Sequence, residues 1–205
     1  MKESTSILVS RQEIINIDPT TMKEGVDYIN VVKDSEYEIG SKLSLGYPVG
    51  FKTVFGTIGT LRAGMDFIST PSYPIALLNK KKLTKHDINR IPSKRVTVPN
   101  YWGIVAYMTC ARIKTDEHLM KLLKDNEVVL TSVNIKKTET MGISGATYIP
   151  NYKMGRYLSI VRYISDMLKC NKFTDNDIKQ FILACRDDNT KGLFDELPFS
   201  IKVSM

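Results

Sequence analysis

The residues with the clearest chemical potential lie between Met141 and Arg162, in MGISGATYIPNYKMGRYLSIVR. Gly142 and Gly145 allow close backbone approach, and Asn151 is a suitable N-cap for the helical pattern behind it. The unpaired N–H groups of that helix start would face the glycines, an arrangement that suits phosphate or another anion. The plainer reading is a helix that merely comes after a turn. Arg162, further along the same pattern, either salt-bridges a neighbouring element or faces a phosphate. A second chemistry is electrostatic. Residues 79–100 hold Lys80, Lys81, Lys82, Lys85, Arg90, Lys94 and Arg95 against Asp87, a net charge of +6 in a chain whose total is +7. Such a segment either makes phosphate contacts on a nucleic acid or is a solvated lysine-rich loop.

Apolar periodicity supplies the elements that must hold these residues. Met154, Leu158, Val161, Ile164 and Leu168 recur at helical spacing and predict a long helix with one buried stripe. Pro99 and Asn100 open a helix to about Lys114, whose core face carries Trp102, Val105, Ala106, Thr109 and Ile113. Trp102 reads there as a core residue in preference to a base-stacking platform. Thr115 is expected to cap the next helix, which buries Leu119, Leu122 and Leu123. Thr60–Ser69 reads as a short helix ended by Pro71 and Pro74. Thr174 and Asp177 form a capping-box variant ahead of Ile178, Phe181, Ile182 and Cys185.

Strands are expected over Thr5–Ser10, Val26–Lys33 and Val128–Val133, with Phe199–Val203 as an edge strand. Gly40, Gly46, Gly50, Gly56 and Gly59 alternate with Tyr47, Phe51 and Phe55, implying tight turns in either a pocket wall or a β meander. The predicted fold class is α+β, with a mostly helical C-terminal half and a small N-terminal sheet. It is organised as one domain over 1–205, with N-terminal strands in 1–35, a core over 40–170, and a C-terminal helix and tail over 171–205.

Composition excludes several classes of function. Residues 1–40 carry four basic and eight acidic side chains, so the basic character is concentrated in 79–100. Cys110, Cys170 and Cys185 are far apart and lie in predicted helices, as expected of buried reduced thiols. They form no ligand spacing with His86 and His118, so no structural metal and no cofactor are expected. Walker A, the Rossmann glycine fingerprint, HExxH and the nucleophile elbow are absent. No apolar run reaches the roughly 18 residues of a membrane span, and the first residues lack a secretory apolar region. A cytoplasmic protein without a membrane partner is expected.

The order of features from Arg95 to Arg162 resembles the C-terminal half of the NADAR (YbiA-like) domain. The counterparts are Arg95, Trp102 with Met108, Leu122-Leu123, Val129-Leu130, Met141-Gly142, Asn151 near Gly155, and Val161-Arg162. The resemblance implies a NADAR-like core over residues 40–170 that binds ADP-ribose derivatives. Some members are N-glycosidases that remove ADP-ribose from guanine without a metal, and several accompany DarT-type toxins that ADP-ribosylate DNA. The family's Ser-val-Glu-His helix falls on Gly59-Thr60-Leu61-Arg62-Ala63, which contains no Glu. Arg62, where the family places an acid or His, favours an anionic ligand, a protein carboxylate or a simple surface role.

Three functions emerge as expectations. The first is a non-catalytic NADAR-like protein, of the kind a phage would use as an anti-toxin. It would bind a DarT-type ADP-ribosyltransferase or its ADP-ribosylated nucleic-acid product through Arg62, Gly142, Gly145, Asn151 and Arg162. The second is an active ADP-ribosyl-guanine N-glycosidase with Asp66 or Glu139 as its acid. The third is a nucleic-acid-binding accessory protein acting through the basic segment.

Overall fold

The computed structural model describes residues 21–140, 143–150 and 154–185, with the backbone alone for 134–140 and 143–150. Thr5–Ser10 and Phe199–Val203 lie outside the described residues. Seven α-helices and six short strands form an α+β arrangement among them.

The helix α4 (Tyr101–Thr115) is the axis of this arrangement. Every residue from Gly103 to Ile113 is buried, so the helix has no wet face to present. The helices α2 (Leu61–Ser69), α5 (Glu117–Asp125), α6 (Gly155–Lys169) and α7 (Asp175–Ala184) all pack against it. The predicted stripe of α6 is buried in full, and so is that of α7. The capping box of Thr174 and Asp177 closes in both directions. Thr60 caps α2, its Oγ1 accepting from Ala63 N at 3.1 Å. Gly64 lets α2 cross α4 closely, because a Cβ there would lie 2.7 Å from Met108 Sδ. One continuous set of buried side chains runs from Ile29 to Cys185.

The strands pair in three separate ladders. The strand β1 (Tyr28–Asn30) runs parallel to β4 (Val129–Thr131), with Tyr28 opposite Val129. Asn30 extends that ladder: its Nδ2 donates to Val133 O at 3.0 Å and its Oδ1 accepts from Val133 N at 2.9 Å. The strands β2 (Phe51–Thr53) and β3 (Gly56–Ile58) form a tight hairpin. The strands β5 (Val133–Thr140) and β6 (Ile143–Pro150) form a longer one.

Several expectations are corrected. The Val26–Lys33 strand shortens to Tyr28–Asn30 and pairs with β4, so it does not build an N-terminal sheet with a sequence neighbour among the described residues. The glycine-rich stretch contains α1 (Glu38–Leu43) as well as the β2–β3 hairpin. The cap of α5 is Asp116, whose carboxylate accepts from Leu119 N at 2.9 Å; Thr115 is the last residue of α4. Asp116 places a short acceptor arm at the right position, which Thr115 misses by one residue. Cys170 is exposed at the end of α6, whereas Cys110 and Cys185 are buried.

Candidate functional site

The most concentrated chemistry lies where α2 meets the segment leading into α4. Thr60 starts α2, and Arg62 N donates to Leu45 O at 2.8 Å, which fixes the first turn. Arg62 and Asp66 are four residues apart and therefore share a face, with Arg62 Nε 3.3 Å from Asp66 Oδ2. Arg95 Nη2 reaches the other oxygen, Oδ1, at 3.2 Å. The adjacent residue anchors this approach: Val96 N donates to Ser69 O at 2.9 Å. Asp66 is thus held between two guanidinium groups. The Arg62 side chain is 62% exposed and that of Arg95 43%, against 17% for Asp66, so the cations face outward and the acid sits beneath them.

Aromatic residues border this clamp. Burial raises the Tyr101 phenol above its ordinary value of 10.0, and the Asp66 carboxylate raises it further, against the opposing pull of Arg62 and Arg95. Tyr73 is raised by burial and by Asp66 in the same sense, with Arg95 opposing. Tyr101 meets Trp102 edge to face, ring centroids 5.2 Å apart. The Arg156 guanidinium lies over the Trp102 ring at 5.6 Å. Three arginines, one carboxylate and two aromatic rings therefore succeed one another across α2, the segment before α4, α4 and α6. Among these groups the cations outnumber the acid, so the surface attracts anions.

The basic segment is more structural than its charge implies. Asp87 nucleates the helix α3 (Lys85–Asn89) through a complete capping box with Thr84, and Lys80 Nζ lies 2.8 Å from Asp87 Oδ1. The Lys80 and Thr84 hydrogen bonds hold the Asp87 carboxyl far below the usual range. Arg95 is engaged by Asp66. Lys81, Lys82, Lys85, Arg90 and Lys94 are exposed.

The 141–151 stretch differs from the expected loop. Ile143–Pro150 is strand, and Gly145 is in register with Thr138. At about 3.3 Å per residue, Gly145 lies roughly 17 Å of extended chain from Pro150. Met154 occupies the cap position of that helix and makes no side-chain cap bond. Gly142 and Asn151 lie outside the described residues. Glu139 is in register with Ser144 on β5, and its side chain lies outside the described residues. Arg162 is half-buried on α6, and its Nε finds no hydrogen-bond partner among the described residues. Of the residues singled out from sequence, the structure brings Arg62, Asp66 and Arg95 together.

No family model, curated protein or solved structure matches this chain. The reading of the site therefore rests on its own residues.

Arg112 is a residue that sequence reasoning missed. It is 1% exposed, donates from Nη1 to Ser44 O at 3.2 Å and from Nη2 to Lys42 O, and so closes the C-terminal end of α1. Tyr157 OH donates to Leu43 O at 2.7 Å in the same place. Burial lowers the Arg112 value, opposed by Tyr157, Asp116 and Tyr47. These donors are committed to backbone carbonyls, which makes Arg112 a strut. An arginine within an otherwise apolar helix was the available signal. Among the described residues no three His, Cys, Asp or Glu side chains form a metal-binding group, and no helix is long and apolar enough to cross a membrane.

Proposed function

We propose that this chain is a non-catalytic, NADAR-like binding protein that counters ADP-ribosylation of DNA by holding the ADP-ribosylated product. In this reading it is a phage-type factor acting against a DarT-type toxin. The observation that carries it is the clamp on α2. An ADP-ribosyl group presents a diphosphate, and planar guanidinium groups donate paired hydrogen bonds to phosphate oxygens. Arg62 and Arg95 offer two such groups outward on one face. Tyr101 and Trp102 beside them supply apolar and π surface for a base.

Turnover needs a carboxylate free to stabilise an oxocarbenium ion or to activate water. At the position where the resemblance expects Glu, Leu61 is wholly buried in the core. The nearest acid on the same helix, Asp66, has each oxygen engaged by an arginine. Ion-paired on both sides, its oxygens are committed to the two guanidinium groups. Binding without hydrolysis is the chemistry this arrangement supports.

The test uses DNA carrying ADP-ribosyl guanine. The full chain should bind it more tightly than unmodified DNA, release no ADP-ribose, and lose the preference in Arg62→Ala and Arg95→Ala. Release of ADP-ribose that disappears in Asp66→Ala would replace this reading with an active glycosidase. Equal affinity for modified and unmodified DNA would remove it.

A further inference from the structure

The clamp continues into a second, differently built feature. Tyr101 links it to Trp102, and Trp102 carries the Arg156 guanidinium from α6 on its ring. Arg62 and Arg95 beside Tyr101, then Trp102, then Arg156 thus follow one another as a ridge whose two rings are half-buried against the core. A diphosphate-sugar ligand requires only the clamp and one ring. The ridge offers more than that: anion sites at one end and a π-stacked guanidinium at the other. Alternation of that kind is how proteins track single strands, with phosphates on the cations and bases stacked on rings or guanidinium planes. A duplex hides its base faces and would use the cations alone.

We propose that this ridge binds single-stranded nucleic acid. Arg62 and Arg95 take backbone phosphates, and a base stacks at the Trp102–Arg156 pair. The proposal rests on the ADP-ribosyl reading and deepens it, since it names the carrier of that group, but it requires binding of the unmodified strand as well. It also places that binding away from Lys81, Lys82 and Lys85, which project from the preceding segment.

Trp102 is the one tryptophan in the chain, so its fluorescence reports the ridge directly. The experiment titrates the full chain with an unmodified oligo(dT) strand, monitored by tryptophan emission and by anisotropy of labelled strand. Saturable quenching is expected, with affinity that falls as salt rises. Trp102→Leu and Arg156→Ala should each weaken binding on the order of tenfold, the effect of losing one stacked base. Arg62→Ala with Arg95→Ala should flatten the log–log salt slope by about 1.4, for two phosphates on a single strand. Because Trp102→Leu removes a partly buried ring, circular dichroism accompanies it, and Arg156→Ala tests the same contact from an exposed position.

Absence of binding overturns the proposal. So does binding that survives all four substitutions, or that is abolished in Lys81→Ala, Lys82→Ala, Lys85→Ala. Free ADP-ribose, titrated in parallel, separates the two readings. Strand binding without ADP-ribose binding refutes the ADP-ribosyl reading alone, and ADP-ribose binding without strand binding refutes this one alone.

Discussion

Substituting Leu61 by Glu introduces the acid that the resemblance to NADAR domains would place there, and the fold makes that substitution costly. Leu61 is 0% exposed, in the first turn of α2 against the core. Losing its burial costs about 2 kcal/mol. A carboxyl of ordinary pKa near 4.3 must bind a proton before it can be buried dry, which at pH 7 costs about 4 kcal/mol. A polar group without a partner adds roughly 1–3 kcal/mol. The sum, about 7–9 kcal/mol, rivals the total stability of about 5–15 kcal/mol of an ordinary domain.

Leu61→Gln carries the same shape without the ionisation and isolates the charge. The buried Glu has a folded-state pKa raised above its unfolded value. Its relative stability is therefore greatest below the unfolded pKa and is lost as pH rises. The Glu–Gln difference should grow from near zero around pH 4 by about 1.4 kcal/mol per pH unit. Urea unfolding monitored by tryptophan emission measures it. A Glu variant within about 1 kcal/mol of the Gln variant at pH 7 would refute the core assignment. Gain of ADP-ribose release would refute it more decisively.

Three further outcomes test other parts of the structure. Asp66→Asn removes two ion pairs whose arginines are solvent-exposed, so unfolding stability should change by less than about 1 kcal/mol while affinity for pyrophosphate, measured by calorimetry, rises. Burial pushes the Asp116 carboxyl up, but the Lys42 hydrogen bond at 2.8 Å, the Leu119 N–H and the Lys42 charge outweigh it, leaving it below 3.8. A depressed folded-state value stabilises the fold above the unfolded pKa, and that stability is lost as pH falls through the folded one. Acid unfolding below about pH 4 should accordingly be less steep in Asp116→Asn than in the parent chain. Thiol titration should find Cys170 reacting rapidly, whereas Cys185, pushed up to about 12 by burial, and Cys110, raised further by burial and by Cys185, react only on unfolding. A second fast thiol would contradict the packing of α4 against α7.

The helices were legible in the sequence because a 3.6-residue period is a local signal. Met154, Leu158, Val161, Ile164 and Leu168 announced α6, and Thr174 with Asp177 announced α7 and its cap. The features that escaped depend on distant partners. The helix α1 hides behind Gly40, where a Cβ would meet Asn30 O at 2.5 Å. That contact joins residues brought together only by the fold. The β1–β4 ladder pairs Tyr28 with Val129, and no local pattern encodes such a parallel register. Gly142 and Gly145 suggested a phosphate loop, yet Thr138, Thr140, Ile143, Thr147, Tyr148 and Ile149 are strand-favouring residues whose signal the glycines obscured.

The site was legible in part. Arg62 and Asp66 share a helical face by spacing alone. Arg95 completes their clamp from a different segment, and its charge had pointed toward a diffuse basic patch. Trp102 read as core, and it is half-buried, packed against the hydrophobic core and carrying the Arg156 guanidinium on its ring. Periodicity marks the face that packs inward and is silent about a cation that arrives from another helix.

If the arginine pair formed by α2 and the segment before α4 holds an ADP-ribosyl group and leaves it intact, free ADP-ribose must bind there. Calorimetric titration of ADP-ribose into the full chain tests this most directly, with Arg62→Ala/Arg95→Ala as the control. Saturable heat is expected in the parent chain, with competition by pyrophosphate and loss of both in the double variant. Absence of saturable binding in the parent chain, or binding unchanged in the double variant, would contradict the proposed function.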